Sequence, residues 1–255
     1  MQAAKSAQIL AFYYALAREW GPQHWWPAET PFEVIVGAYL TQNTSWNNVE
    51  LAILNLRAAG ALSVGGIRQA SLEDIERLIR PAGYFRQKSK RLKTFIAYLD
   101  RRYQGSLDRM FQQSTERLRA ELLDLNGVGP ETADSILLYA GNHPIFVVDA
   151  YTRRILDRHD IMPANSDYDQ IRALFEAALT GCQPPRPGTV TGIAQIENSA
   201  HSPSPVSSSP RGTRAQVYNE MHALMVTAAK HYCLKKEPKC QGCPLAPFLT
   251  GRSCG

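Results

Sequence analysis

No apolar run in the sequence approaches the roughly 20 residues needed to cross a bilayer, so a membrane-spanning helix is excluded. Strand-like alternation of apolar and polar residues is nearly absent, which argues against a sheet-built core. Cysteine is scarce and unevenly placed. Of five, Cys233, Cys240 and Cys243 fall close together, which speaks against a disulfide framework spread through a secreted domain and for a reducing, cytoplasmic setting. Charge is only mildly one-sided, at a formal +5, which permits a polyanionic partner without requiring one. Near the N-terminus, Lys5 and the stretch Ile9 to Leu16 faintly imitate a secretion signal. The stretch is short, contains two tyrosines and runs directly into Arg18 and Glu19, so a surface-packed amphipathic helix is expected there.

What is present is enough for a sizeable core: 255 residues, 44% of them hydrophobic, suffice for one large domain or two modest ones. Apolar residues recur three or four apart over Phe32 to Leu40, Val49 to Ala58, Leu72 to Ile79, Ser89 to Tyr103 and Thr115 to Leu125. Ser71 before Leu72-Glu73-Asp74 suits a helix N-cap, and Pro81-Ala82-Gly83 breaks the pattern afterwards. The fold class is therefore all-α. Residues 183–213 are dominated by Pro, Ser, Thr and Gly and are expected to be a disordered linker; helical pattern resumes from Ala215 to Tyr232.

The most informative segment is Leu122 to Ala133, followed by the apolar stretch Asp134 to Ala140. Asn126 and Gly127 suit a helix end that needs positive φ, Gly129 allows close approach of backbone to a partner, and Pro130 suits a first helical turn. Two helices joined in this way present unpaired N–H groups at a positive helix end, a ready site for a phosphate oxygen. An ordinary tight turn would account for the glycines alone. Further on, the apolar run Ile145-Phe146-Val147-Val148 closes on Asp149, which opens another helix and suits an N-cap.

A Leu-x-Gly-Val-Gly turn followed by Val-Val-Asp resembles the helix-hairpin-helix DNA glycosylases typified by endonuclease III, over nearly the whole chain apart from the linker. The resemblance implies two helical lobes with a DNA groove between them. One is a six-helix barrel over 31–141 with its helix-hairpin-helix at about 115–140; the other combines 1–30 with 142–255. It also implies that Asp149 is the catalytic carboxylate and that Gly127, Val128 and Gly129 bind DNA phosphates. A fixed anion there has a chemical reason, since cleaving an N-glycosidic bond develops positive charge on the sugar. Lyase members of the family place a lysine where this sequence has Glu131. A carboxylate cannot form an imine, so hydrolysis by water is expected.

Trp25-Trp26-Pro27 and Leu40-Thr41-Gln42-Asn43-Thr44-Ser45-Trp46 gather three of the four tryptophans at helix ends. Core packing explains any one of them; together they also suit stacking on an extruded base. With Arg80 to Leu92, these segments most resemble the bacterial 3-methyladenine glycosylase branch. By that resemblance Trp25, Trp26, Pro27, Trp46 and Glu131 would border the base pocket, and Gln42 would enter the space the base vacates. The basic run Arg86, Lys88, Lys90, Arg91 and Lys93 reads either as a solvated face or, given the hairpin, as phosphate contacts, with Lys88 and Lys90 expected at DNA.

Cys233-x6-Cys240-x2-Cys243 has the opening spacing the family uses for a [4Fe-4S] cluster, with Cys254 as the fourth ligand although it lies further on than usual; zinc is the competing reading. The expected activity is release of alkylated purines such as 3-methyladenine from double-stranded DNA by a monomeric enzyme. The alternatives are an endonuclease-III-like lyase for oxidised pyrimidines or G·T mismatches, and a non-catalytic protein that binds DNA damage.

Overall fold

The computed structural model describes residues 2–185 and 202–249, and among these it contains helices, turns and loops but no strand. No helix among them is long and apolar enough to cross a membrane. The chain forms two compact units, Met1–Pro27 with Pro144–Gly255, and Ala28–His143. Each is built around a helix buried on every side, the arrangement open to a helix that lacks a polar stripe.

The first helix, α1, spans Gln2–Trp20. Ala28–His143 then supplies α2 (Pro31–Leu40), α3 (Trp46–Ala58), α4 (Val64–Gln69), α5 (Leu72–Leu78), α6 (Phe85–Tyr103), α7 (Leu107–Phe111), α8 (Thr115–Leu123) and α9 (Pro130–Ser135). A π-helical turn, Ile136–Ala140, continues α9. The chain returns to the other unit with α10 (Ala150–Arg158), α11 (Tyr168–Ala178) and α12 (Thr213–His231).

In Ala28–His143 the central helix is α2, buried from Phe32 to Leu40 and packed against α3, α6, α9 and the π-helical turn. Thr30 starts it by accepting the Glu33 amide at 3.2 Å, with Pro31 in the first turn. Burying Glu33 would be costly alone, but Arg57 of α3 forks onto both its oxygens at 2.8 and 2.9 Å. Ser71 caps α5 as its sequence suggests, accepting the Asp74 amide at 3.0 Å.

In the other unit the central helix is α12, whose side chains are buried without a break from Val217 to Ala229, against α1 and α10. The amphipathic N-terminal helix is formed: Ile9, Phe12, Leu16 and Trp20 face inward while Tyr14 stays exposed.

Most of the expected 183–213 linker lies outside the described residues. Its described end corrects the expectation, because Val206 is buried, Ser204 Oγ donates to the Trp26 carbonyl at 3.2 Å, and Arg211 donates to the Val206 carbonyl at 2.8 Å. A serine-rich turn can bond to itself, as Ser204 and Ser207 do, so one buried valine is enough to seat it.

Candidate active site

The hairpin turn joins α8 to α9. Gly127 sits at φ +80°, a region that costs other residues about 1–2 kcal/mol, and a Cβ there would strike the Arg91 guanidinium. Gly129 is extended, and a Cβ on it would meet nothing within 4 Å, so nothing inside the chain demands a glycine there. Between them Val128 is buried, and its amide donates to the Leu125 carbonyl at 3.0 Å. Gln42, from the turn after α2, braces this loop. Its Nε2 donates to the Gly127 carbonyl at 3.0 Å and to Thr132 Oγ1 at 2.9 Å, while its Oε1 accepts from Arg91 Nη1 at 2.5 Å. Arg119 of α8 bonds both oxygens of Asp134 of α9, at 2.7 and 3.3 Å, and so fixes the angle between the two helices. Pro130 occupies the first turn of α9, with Glu131 exposed beside it.

The basic run divides in two. Lys88, expected at DNA, is 1% exposed. Its ammonium donates to the carbonyls of Leu40 and Ala82 at 2.9 and 2.8 Å, satisfying a helix end that would otherwise hold unpaired oxygens. Burial, with the Arg91 charge adding to it, pulls its pKa down to about 8. Lys93 is likewise bound to the carbonyls of Arg68 and Ala70. Lys90 and Arg86 are exposed. Trp46, at the start of α3, is half-buried and donates through Nε1 to Glu50 at 2.7 Å.

In the other unit, the extended segment before α10 is held by side chains of α11 and its approach. The Phe146 amide donates to Glu176 at 3.0 Å, the Val148 amide to Tyr168 Oη at 3.2 Å, and the Phe146 ring stacks on Phe175 at 4.2 Å. This delivers Asp149 to the N-cap of α10, where Oδ1 accepts the Thr152 amide at 2.7 Å. Its other oxygen, Oδ2, lies 3.5 Å from Nε2 of the buried His222 on α12. Burial works to raise the Asp149 pKa, but the His222 contact and the bonds from Thr152 outweigh it and hold the carboxyl below its ordinary value. Trp25 lies beside this group: its ring is 5.6 Å from that of Trp26 and 6.2 Å from that of His222, and the Lys230 ammonium is 5.9 Å from its centroid. Trp26 is buried and Pro27 half-buried.

At the far end of α10, Cys233, Cys240 and Cys243 line a cavity of about 220 Å³ with Arg158 and Tyr232. Arg158 Nη1 lies 3.1 Å from Cys233 Sγ and donates to the Leu234 carbonyl at 2.7 Å, while Arg154 donates to the Cys233 carbonyl at 2.7 Å. Sulfur donors gathered beside a guanidinium suit a thiolate-held group. Cys233 and Cys243 are free thiols and Cys240 is disulfide-bonded; Cys254 lies outside the described residues. Among the described residues no three His, Cys, Asp or Glu side chains are arranged to hold a metal ion.

Residues 36–180, which include both the hairpin and Asp149, match the HhH-GPD superfamily of base excision DNA repair proteins. The chain belongs to this superfamily. Among its HhH-GPD relatives is a Methanocaldococcus jannaschii protein bearing the name "Putative DNA repair glycosylase", 40% identical over 254 residues, which are 99% of this chain and 100% of that one. A solved Helicobacter pylori 3-methyladenine DNA glycosylase bound to 1,N6-ethenoadenine superposes with a TM-score of 0.66 at 27% identity, over 89% of this chain and 97% of that one. An endonuclease III trapped as a covalent DNA intermediate superposes with a TM-score of 0.68 at 20% identity, over 94% of this chain and 93% of that one, and so shares the fold. This HhH-GPD chain is thus a base-excision-repair DNA glycosylase by family.

Several site residues are not assigned these roles by the sequence, where Arg91 reads only as part of the basic run. His222, Thr152, Arg91 and Arg119 act on Asp149 or on the hairpin through contacts that only the folded chain creates. Thr152 is the one that was findable, three residues after an N-cap aspartate.

Proposed function

We propose that the chain hydrolyses the N-glycosidic bond of alkylated purines such as 3-methyladenine in double-stranded DNA without cutting the strand. The observation that carries this reading is Asp149, a half-buried carboxylate kept ionised, with one oxygen on the helix cap and the other turned toward His222. An anion held in that way stabilises positive charge as it develops on the sugar, or takes the proton of an attacking water. Trp25, half-buried with the buried Trp26 packed against it, offers an aromatic face to an extruded base, and a base made cationic by alkylation gains most from such a face. Glu131 in the first turn of α9 supports hydrolysis over imine chemistry. The H. pylori 3-methyladenine enzyme supports the alkylpurine assignment, and the endonuclease III complex keeps a lyase in view.

With Cys240 reduced from its disulfide to a thiolate, Cys233, Cys240, Cys243 and Cys254 would hold a [4Fe-4S] cluster, whose four iron–thiolate bonds would tie the tail together. Arg158 would offset thiolate charge at Cys233, and the exposed side chains of Lys235, Lys236 and Glu237 leave that loop open to solvent. Metal and sulfide analysis of the purified protein tests this: about four iron and four sulfide per chain is the expected result, and zinc in their place would replace the assignment.

Duplexes bearing 3-methyladenine, thymine glycol or a G·T mismatch separate the activities. Free 3-methyladenine, with strands broken only after hot alkali, is the expected result. Breakage without alkali establishes the lyase, and tight binding with no base released establishes a damage-binding protein.

A further inference from the structure

Glycosidic hydrolysis asks more of the protein than a carboxylate: the reactive oxygen has to be aimed, and the group kept ionised where little water remains. Oδ1 of Asp149 is committed to the Thr152 amide, which leaves Oδ2 for chemistry.

The buried run of α12 contains four polar or charged side chains, Asn219, Glu220, His222 and Thr227. Such groups cost free energy in a core unless they are used. Glu220 accepts the Gln23 backbone amide and the Gln216 side chain, each at 2.8 Å, and Thr227 donates to Gln23 Oε1 at 2.9 Å. Those two residues therefore anchor the approach to Trp25. His222 serves a different end, with its ring 6.2 Å from that of Trp25 and 6.4 Å from that of Phe146, and Nε2 at 3.5 Å from Asp149 Oδ2.

We propose that His222 is the positioning residue for the catalytic carboxylate: its Nε2–H is directed at Asp149 Oδ2, sets the angle of that oxygen, and carries the position of Trp25 across to it. The assignment rests on Asp149 being the catalytic group. A separation of 3.5 Å is longer than a formed hydrogen bond, and catalytic hydrogen bonds are commonly long until substrate closes the site. The contact also contributes to holding Asp149 ionised against burial. Other charges on the packed elements have different tasks. Glu220 serves Gln23, Lys230 faces the Trp25 ring, Arg154 bonds the carbonyls of Cys233 and Ala229, and Glu176 of α11 pairs with Arg172 at 3.1 Å.

Two amide variants test the role, because Gln places an N–H close to the position of Nε2 and Asn is too short to reach it. Single-turnover release of methylated purines from duplex DNA treated with a methylating agent is measured against pH for the wild type, His222→Gln, His222→Asn and Asp149→Asn, alongside affinity for undamaged duplex. His222→Asn should slow release by about tenfold or more, toward the roughly 10²-fold that a misplaced reacting group can cost. Its acid limb should move to higher pH, since losing the donor raises the pKa of Asp149. His222→Gln should recover most of the rate and the wild-type limb, with duplex affinity unchanged within about twofold in both. If Asp149→Asn still releases base, the catalytic reading of Asp149 falls and His222 with it. If Asp149→Asn is inactive while the two His222 variants share the wild-type limb, or lose equal rate without moving it, the positioning role alone is overturned.

Discussion

Asp134, inside α9, and Asp149, at the N-cap of α10, are both acids largely removed from solvent, yet they are held in opposite ways. Both oxygens of Asp134 are occupied by the Arg119 fork, and its side chain has no exposed surface. Asp149 is held firmly by one oxygen only, its second faces a histidine at 3.5 Å, and 12% of its side chain is exposed. A carboxylate saturated by a guanidinium is a fastening and has nothing left to react with. One bound through a single oxygen keeps the other for chemistry, so on the proposed reading incomplete satisfaction, more than burial, separates the working acid from the structural one.

The sharpest test of that contrast replaces each acid by its amide. Asp149→Asn should lower base release by about 10²- to 10⁴-fold, measured by single-turnover kinetics. Its Tm should barely change, because Asn caps a helix as well as Asp does. Asp134→Asn should do the reverse: leaving Arg119 without its anion is expected to cost about 3–5 kcal/mol in denaturant unfolding, while the folded fraction keeps its rate. Unfolding by the first change, or an inactive but stable protein from the second, would erase the distinction. Gly127→Ala comes next, with a loss of about 1–2 kcal/mol for the left-handed backbone, weaker duplex binding as Arg91 is displaced, and an unchanged rate once DNA is bound. The smallest effect belongs to Lys90→Ala, which should flatten the dependence of log K on log salt by about 0.9. Lys88→Ala should leave that slope alone and lower Tm.

The helices were legible because their apolar spacing, serine caps and proline starts agree with one another, as at Ser71 and Pro130. The cap at Asp149 was legible for a similar reason, since a buried apolar run ends on an aspartate just before a helix; its catalytic role comes from the resemblance and is part of the proposal. Lys88 misled because a basic run looks the same whether its ammonium groups meet solvent or carbonyls; the oxygens that draw it inward come from Leu40 and Ala82, ends of elements that only the fold brings near. His222 was invisible, since a lone histidine on an apolar helix does not announce a partner far away in sequence. Gln42 was expected in the gap left by a base, and the structure shows the prior task of bracing Gly127 and Thr132.

The nine residues of α10 run from Asp149 to the Cys233 loop. Its first end is capped by Asp149, and its second half grips the Cys233 loop through Arg154 and Arg158. A helix of that length is a stiff rod of about 13 Å, so a displacement of its last turn is not absorbed along the way. Whatever shifts the Cys233 and Leu234 carbonyls, to which the two arginines are bonded, therefore shifts the cap of Asp149 at the other tip.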